Sequence, residues 1–107
     1  MKYLFYIFLC LVIFSSCKKK TEVAGRVYSI NDTPVAGGKI KLWAYGSSKY
    51  ADISEVTTTD NEGYYHFSFK AKRNHYYDVQ CANDSNYTYT ERLEAGKSNN
   101  FDLKFLQ

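Results

Sequence analysis

The sequence predicts an all-β fold: a seven-stranded antiparallel β-sandwich carried behind a short apolar leader. Three observations predict it. Tyr, Phe, Val, Ile and Thr abound, while Pro occurs once and Gly six times, a composition suited to pleated, half-buried strands. No stretch carries a convincing helical apolar stripe; short segments alternate apolar and polar residues instead. Clusters of Asn, Asp, Gly and Ser separate these segments at the spacing of a sandwich or barrel.

The leader comes first. Lys2 precedes an apolar run from Tyr3 to Phe14. A membrane-crossing helix needs roughly 20 apolar residues, so the run is too short to span. It fits the apolar core of an export signal, commonly about 7–15 residues. Ser15 and Ser16 supply the small residues before a cut, and Cys17 follows. Phe14-Ser15-Ser16-Cys17 resembles the lipobox of bacterial lipoproteins, with Phe14 where Leu, Val or Ile is commoner. The resemblance implies a signal peptide over residues 1–16, cleaved before Cys17, and a diacylglyceryl group on the Cys17 thiol. The new amino terminus would then take a further acyl chain such as palmitate. One chain anchors marginally and two or more anchor firmly. An ordinary signal peptide with an incidental cysteine is the plainer alternative.

Lys18, Lys19 and Lys20 follow, and residues 17–21 read as an acylated cysteine with a basic, solvated tether. The sharper alternative is attraction of these lysines to anionic headgroups. By resemblance to Gram-negative sorting rules, Lys18 rather than Asp after the cysteine implies the outer membrane. With Glu22 as the one acidic residue nearby, the periplasmic face and the cell surface both stay open.

Residues 22–107 form the folded domain. Four of the 14 basic residues lie in the leader and tether, leaving ten against 11 acidic ones. No basic patch of the size that nucleic acid requires is present. Cys10 leaves with the leader and Cys17 carries lipid, so Cys81 is the single remaining thiol and no internal disulfide can form. Its strand position predicts burial.

Seven strands are expected in order: Glu22–Ser29, Lys39–Tyr45, Ile53–Thr59, Tyr64–Lys70, His75–Ala82, Tyr87–Leu93 and Asn100–Leu106. In the second, Ile40, Leu42 and Ala44 share one face. In the fourth, Tyr65, Phe67 and Phe69 point inward. The fifth turns Tyr77, Val79 and Cys81 inward, and the seventh Phe101, Leu103 and Phe105. Asp60 in Thr59-Asp60-Asn61-Glu62-Gly63 can cap backbone amides, and Gly63 supplies the positive φ of a short hairpin between the third and fourth strands. Residues 31–38 join the first two strands, with Pro34 fixing φ and Gly37-Gly38 permitting tight backbone.

"VAGRVYSINDTPVAGGKIKLW", "TTTDNEGYYHFSF" and "HYYDVQC" together resemble the carboxypeptidase regulatory-like family. Its pattern falls on Val23, Gly25 and Val27, on Pro34, Val35 and Gly37, and on Thr59, Asp60, Gly63, Tyr65 and Phe67. The family often has Gly where Thr33 stands, so Asn31 or Asp32 is expected to take the left-handed position. The resemblance implies a transthyretin-like, prealbumin-type sandwich.

Chemistry is sparsely signalled. The hydroxyisourate hydrolase of the transthyretin-like fold ends in Tyr-Arg-Gly-Ser and uses active-site histidines. This chain ends Lys104-Phe105-Leu106-Gln107 and holds His66 and His75 alone. The internal Lys–Asn bond of some adhesins needs an inward lysine on the first strand, where this chain offers Arg26. His66, His75, Asp78 and Cys81 lack metal-ligand spacing, and Asp60-Asn61-Glu62-Gly63 is too poor in oxygens for a calcium loop. The three Asn-x-Ser/Thr triplets read as polar loops. The expectation is therefore no enzyme, no metal, no small-molecule cofactor and no nucleic acid.

The outward-phase aromatics carry the remaining signal: Tyr28, Trp43, Tyr45, Tyr64 and Tyr76. Such residues can anchor a protein partner or stack on sugar rings, or simply stabilise the sheet as cross-strand pairs. The sequence thus predicts a lipid-anchored structural or interaction module of the cell envelope, accessory to an outer-membrane complex. The alternative is a carbohydrate-binding lipoprotein. Trp43, Tyr45, Tyr64 and Tyr76 form the candidate ligand or partner surface.

Overall fold

Alternation along the strands decides which side chains face inward, and two sheets close over them. The computed structural model describes residues 18–46 and 50–106. The expected leader and the expected acylation position, Cys17, lie outside the described residues. Among the described residues there is no helix, and nine strands form two sheets packed as a β-sandwich. They are β1 (Lys18–Tyr28), β2 (Lys39–Tyr45), β3 (Asp52–Thr58), β4 (Tyr64–Lys72) and β5 (Tyr76–Asn83). Four short ones follow: β6 (Asn86–Tyr87), β7 (Glu91–Arg92), β8 (Ser98–Asn100) and β9 (Leu103–Lys104).

The four-stranded sheet has β1 at its centre, with β4 on one edge and β8 and β9 on the other. The five-stranded sheet runs β3-β2-β5, with β6 and β7 beyond β5. Val23 and Val27 of β1 and Tyr65 and Phe67 of β4 face Ile40 and Leu42 of β2 and Tyr77, Val79 and Cys81 of β5. Leu93, Leu103 and Phe105 complete the buried cluster, while Ala44, Phe69 and Phe101 pack against it partly buried. The inward residues expected from alternation are thus the core.

Four features differ from the sequence expectation. First, the expected sixth and seventh strands each split in two. Around Thr88 side chains interrupt the ladder: its amide still donates to the Cys81 carbonyl, but its hydroxyl accepts the Cys81 amide at 3.1 Å, and its carbonyl accepts the Gln80 side-chain amide at 2.9 Å. Around Phe101 the same occurs, where its carbonyl accepts the Tyr65 hydroxyl and the Asp102 carboxylate accepts the Arg26 amide. Second, the pairing is not purely antiparallel, because β8 and β9 run parallel to β1. The chain leaves β7 and enters the other sheet at the end where β1 starts, so it can only run alongside β1 in the same direction.

Third, residues 59–63 do not close a hairpin: β3 and β4 lie in different sheets. The Thr59 hydroxyl is tied to Gly38 and Val35 on one side, while the Gly63 carbonyl accepts the Val27 amide on the other. The local chemistry is as expected, with Gly63 at φ 86 and Asp60 accepting the amides of Glu62 and Tyr64 at 2.9 Å each. Asp32 takes the left-handed position, at φ 65. Fourth, Lys18–Lys20 is strand rather than tether: Lys18, Lys19 and Lys20 pair with Lys72, Ala71 and Lys70 of β4.

Candidate interaction surface

The outer face of the five-stranded sheet is built from the odd positions of β2 and the even positions of β5. On β2 the Trp43 and Tyr45 rings lie 6.4 Å apart with planes 19° from parallel. Strand register places Trp43 opposite Asp78 and Tyr45 opposite Tyr76. On the next strand, β7, Arg92 lies opposite Asp78. Its Nε donates to Asp78 Oδ1 at 2.6 Å, and its guanidinium sits 5.9 Å from the Tyr45 ring centre and 5.2 Å from that of Tyr76. One cation thus bridges two strands of aromatics, held by a carboxylate that is itself 7% exposed. The hydrogen bond to Asp78 raises the Arg92 pKa above its already high ordinary value, so the charge is permanent.

Gln80 fixes the other side. Its Oε1 accepts the Trp43 indole N–H at 2.9 Å, and its Nε2 donates to the Thr88 carbonyl. Both ends of the amide are therefore spent within the protein. Trp43 and Tyr45 are half-buried, Tyr76 is 63% exposed, and Ile53 of β3, opposite Trp43, is 53% exposed. The result is a mixed aromatic and cationic patch reaching from β3 across β2 and β5 to β7.

Of the expected surface, Trp43, Tyr45 and Tyr76 come together here and Tyr64 does not. Tyr64 belongs to β4, on the outer face of the other sheet. There the Arg26 guanidinium lies 4.6 Å from the Tyr64 ring centre and 5.5 Å from that of Tyr28, and its Nε donates to the Glu62 carbonyl. Outward phase is legible along a strand, but the sheet a strand joins is decided by distant pairing. Arg92, Asp78 and Gln80 were missed as members of the site for the same reason. No local pattern marks them, and register alone brings them to Trp43.

Among the described residues, one surface hollow of about 170 Å³ lies over Ala24 between Glu22, His66 and Asn100, and another of about 190 Å³ between Ser29, Asn83 and Phe105. Both fall below the roughly 300–1,000 Å³ of small-molecule pockets. His66 and His75 sit on strands or turns of different sheets, and His75 Nδ1 pairs with the Arg73 carbonyl. Among the described residues no three His, Cys, Asp or Glu side chains are placed to hold a metal ion. Cys81 is fully buried, and burial lifts its thiol to about 11, away from nucleophilic use. No family model matches the chain, and no curated protein matches it either.

Proposed function

We propose that this protein is a non-catalytic, lipid-anchored interaction module of the cell envelope. Cys17 carries the anchor at the outer membrane. A sandwich of the transthyretin-like, carboxypeptidase regulatory-like kind displays a binding face to a protein partner in an outer-membrane complex. The observation that carries the reading is the Trp43, Tyr45, Tyr76 and Arg92 patch. Tyr, Trp and Arg dominate the energetics of protein interfaces. Here the arginine is already held by Asp78, so little side-chain freedom remains to be lost on binding.

A glycan is the second reading, favoured by aromatic rings flanked by an amide and a carboxylate. Sugar recognition needs free donors and acceptors beside the rings. Gln80 and Asp78 are committed to Trp43, Thr88 and Arg92, which favours a protein surface instead.

The test is recovery of the acylated protein and its partners from native envelope in mild detergent. The expected result is a stoichiometric protein captured by wild type and by Tyr64→Ala but lost with Tyr76→Ala, at unchanged melting temperature. Capture that survives Tyr76→Ala, or fails equally with Tyr64→Ala, removes the patch as the binding face. Retention on envelope polysaccharide, with no protein partner, transfers the face to the glycan reading. The anchor is tested separately: Cys17→Ser is expected to release the protein or leave an uncleaved precursor.

A further inference from the structure

The register of β1 against β4 places like charges opposite one another. Lys20 pairs with Lys70, and Lys72 lies on the same face two residues further along β4, at one end of the four-stranded sheet. Directly opposed like charges destabilise an antiparallel pair. Relief within the protein is slight. Lys20 has Glu22 at 3.7 Å, with both groups well exposed, and Lys70 and Lys72 make no ion pair with any described residue. Lys20, Lys70 and Lys72 are all exposed. Lys19 adds to the same end by lying beside Gly96, while the neighbouring Lys97 is already paired with Glu94 at 3.2 Å. An exposed like-charge pair of this kind is relieved when an anionic surface comes within a Debye length of it, and the chain supplies a reason for one. β1 begins one residue after the acylation position, so this end of the sandwich has no spacer from the lipid.

We infer that the β1–β4 lysine end is a docking surface for anionic phospholipid headgroups. The inference rests on the Cys17 anchor for proximity, and it fixes what an anchor alone does not: the tilt of the domain. Each lysine near an anionic leaflet contributes on the order of 1 kcal/mol, falling off within a Debye length. Lysines of two strands on one end therefore hold β1 and β4 upright, with residues 59–63 at the far end.

The experiment uses the acylated protein in phosphatidylcholine vesicles, with or without phosphatidylglycerol, and follows lysine acetylation by mass spectrometry. Lys70 and Lys72 are expected to label roughly fivefold more slowly on anionic vesicles than on neutral ones. Lys39, at the opposite end, should label equally on both, and high salt should erase the difference. Equal labelling of Lys70 and Lys72 on both vesicles overturns the docking surface. Protection by a soluble acidic polymer but not by anionic vesicles also overturns it, in favour of an acidic macromolecule. The intact mass separates the two readings. An acylated protein with equal labelling loses the docking surface and keeps the anchor. A protein without acyl groups that anionic vesicles still protect loses the anchor and keeps the docking surface.

Discussion

Gly25 shows how one absent side chain holds the four-stranded sheet together. A Cβ at this position would overlap the carbonyl oxygen of Phe101 and press on the Tyr65 hydroxyl. That same carbonyl accepts the Tyr65 hydroxyl at 2.7 Å, and the Phe101 amide donates to Ala24. Gly25→Ala should therefore push the last strands off β1, at a cost of about 3 kcal/mol, the upper part of the range for an overpacked core. Denaturant unfolding checks this, and a loss below about 0.5 kcal/mol, the level of an ordinary surface change, would mean that the close approach is not maintained. Two buried acids make a pH prediction. Burial lifts the Cys81 thiol from 9.0 to about 11 and pushes the Tyr65 phenol up as well. In each case the unfolded chain gives up its proton first. The contribution of the Cys81 thiol to stability is therefore complete below about pH 9 and is lost as pH rises towards 11. Unfolding midpoints at about pH 8 and about pH 10.5 should differ clearly in wild type and less in Cys81→Ala. An identical difference in both proteins would clear Cys81 of the effect.

At the scale of elements, β1 is paired on both edges over Glu22–Ala24, whereas β3 is an edge strand whose first four side chains are exposed. Opening free energy follows burial and pairing. Backbone amides in the middle of β1 should exchange most slowly and those of β3 fastest among the long strands. Comparable protection in the two would contradict the topology. What was legible in the sequence divides along the same line. β2, β4 and β5 declare themselves because one face is apolar at every second residue, and their inner faces are the ones expected. The start of β1 could not be read from Lys18-Lys19-Lys20, which has no alternation; its extended state comes from β4, some fifty residues away in sequence. Ser98-Asn99-Asn100 is equally silent. Asn99 is buried for its hydrogen bonds rather than for apolar area, spanning Glu22, Glu94 and Lys97. Side-chain bonds of this kind broke the last two expected strands into four, and period-two reasoning has no view of them.

Across the whole molecule, the two ends differ in their excess charge, although each also holds ion pairs such as Lys104–Asp32 and Lys97–Glu94. The lysines of β1 and β4 gather where β1 starts, and Asp32, Asp60, Glu62 and Asp84 occupy turns at the opposite end. Tyr76 opens β5 just after the turn from Lys72, so the aromatic patch lies toward the lysine end, with Trp43 two residues further in, about 7 Å along the strand. A domain standing on its lysines would present this patch sideways, close to the bilayer, where a membrane-embedded partner lies within reach. The two proposals, made on different sheets, are thus mutually compatible and separately testable. The buried position of Cys81 has one more consequence. The full chain holds three cysteines, and the sandwich shields the last of them completely. Under the proposed cleavage and acylation at Cys17, thiol counting becomes a record of the protein's history. A folded, fully matured molecule should react with no thiol reagent, and the same molecule in denaturant with one equivalent. An untouched precursor in denaturant should take three. The rate at which the single hidden thiol becomes reactive in native buffer then times the opening of the core, without any label being introduced.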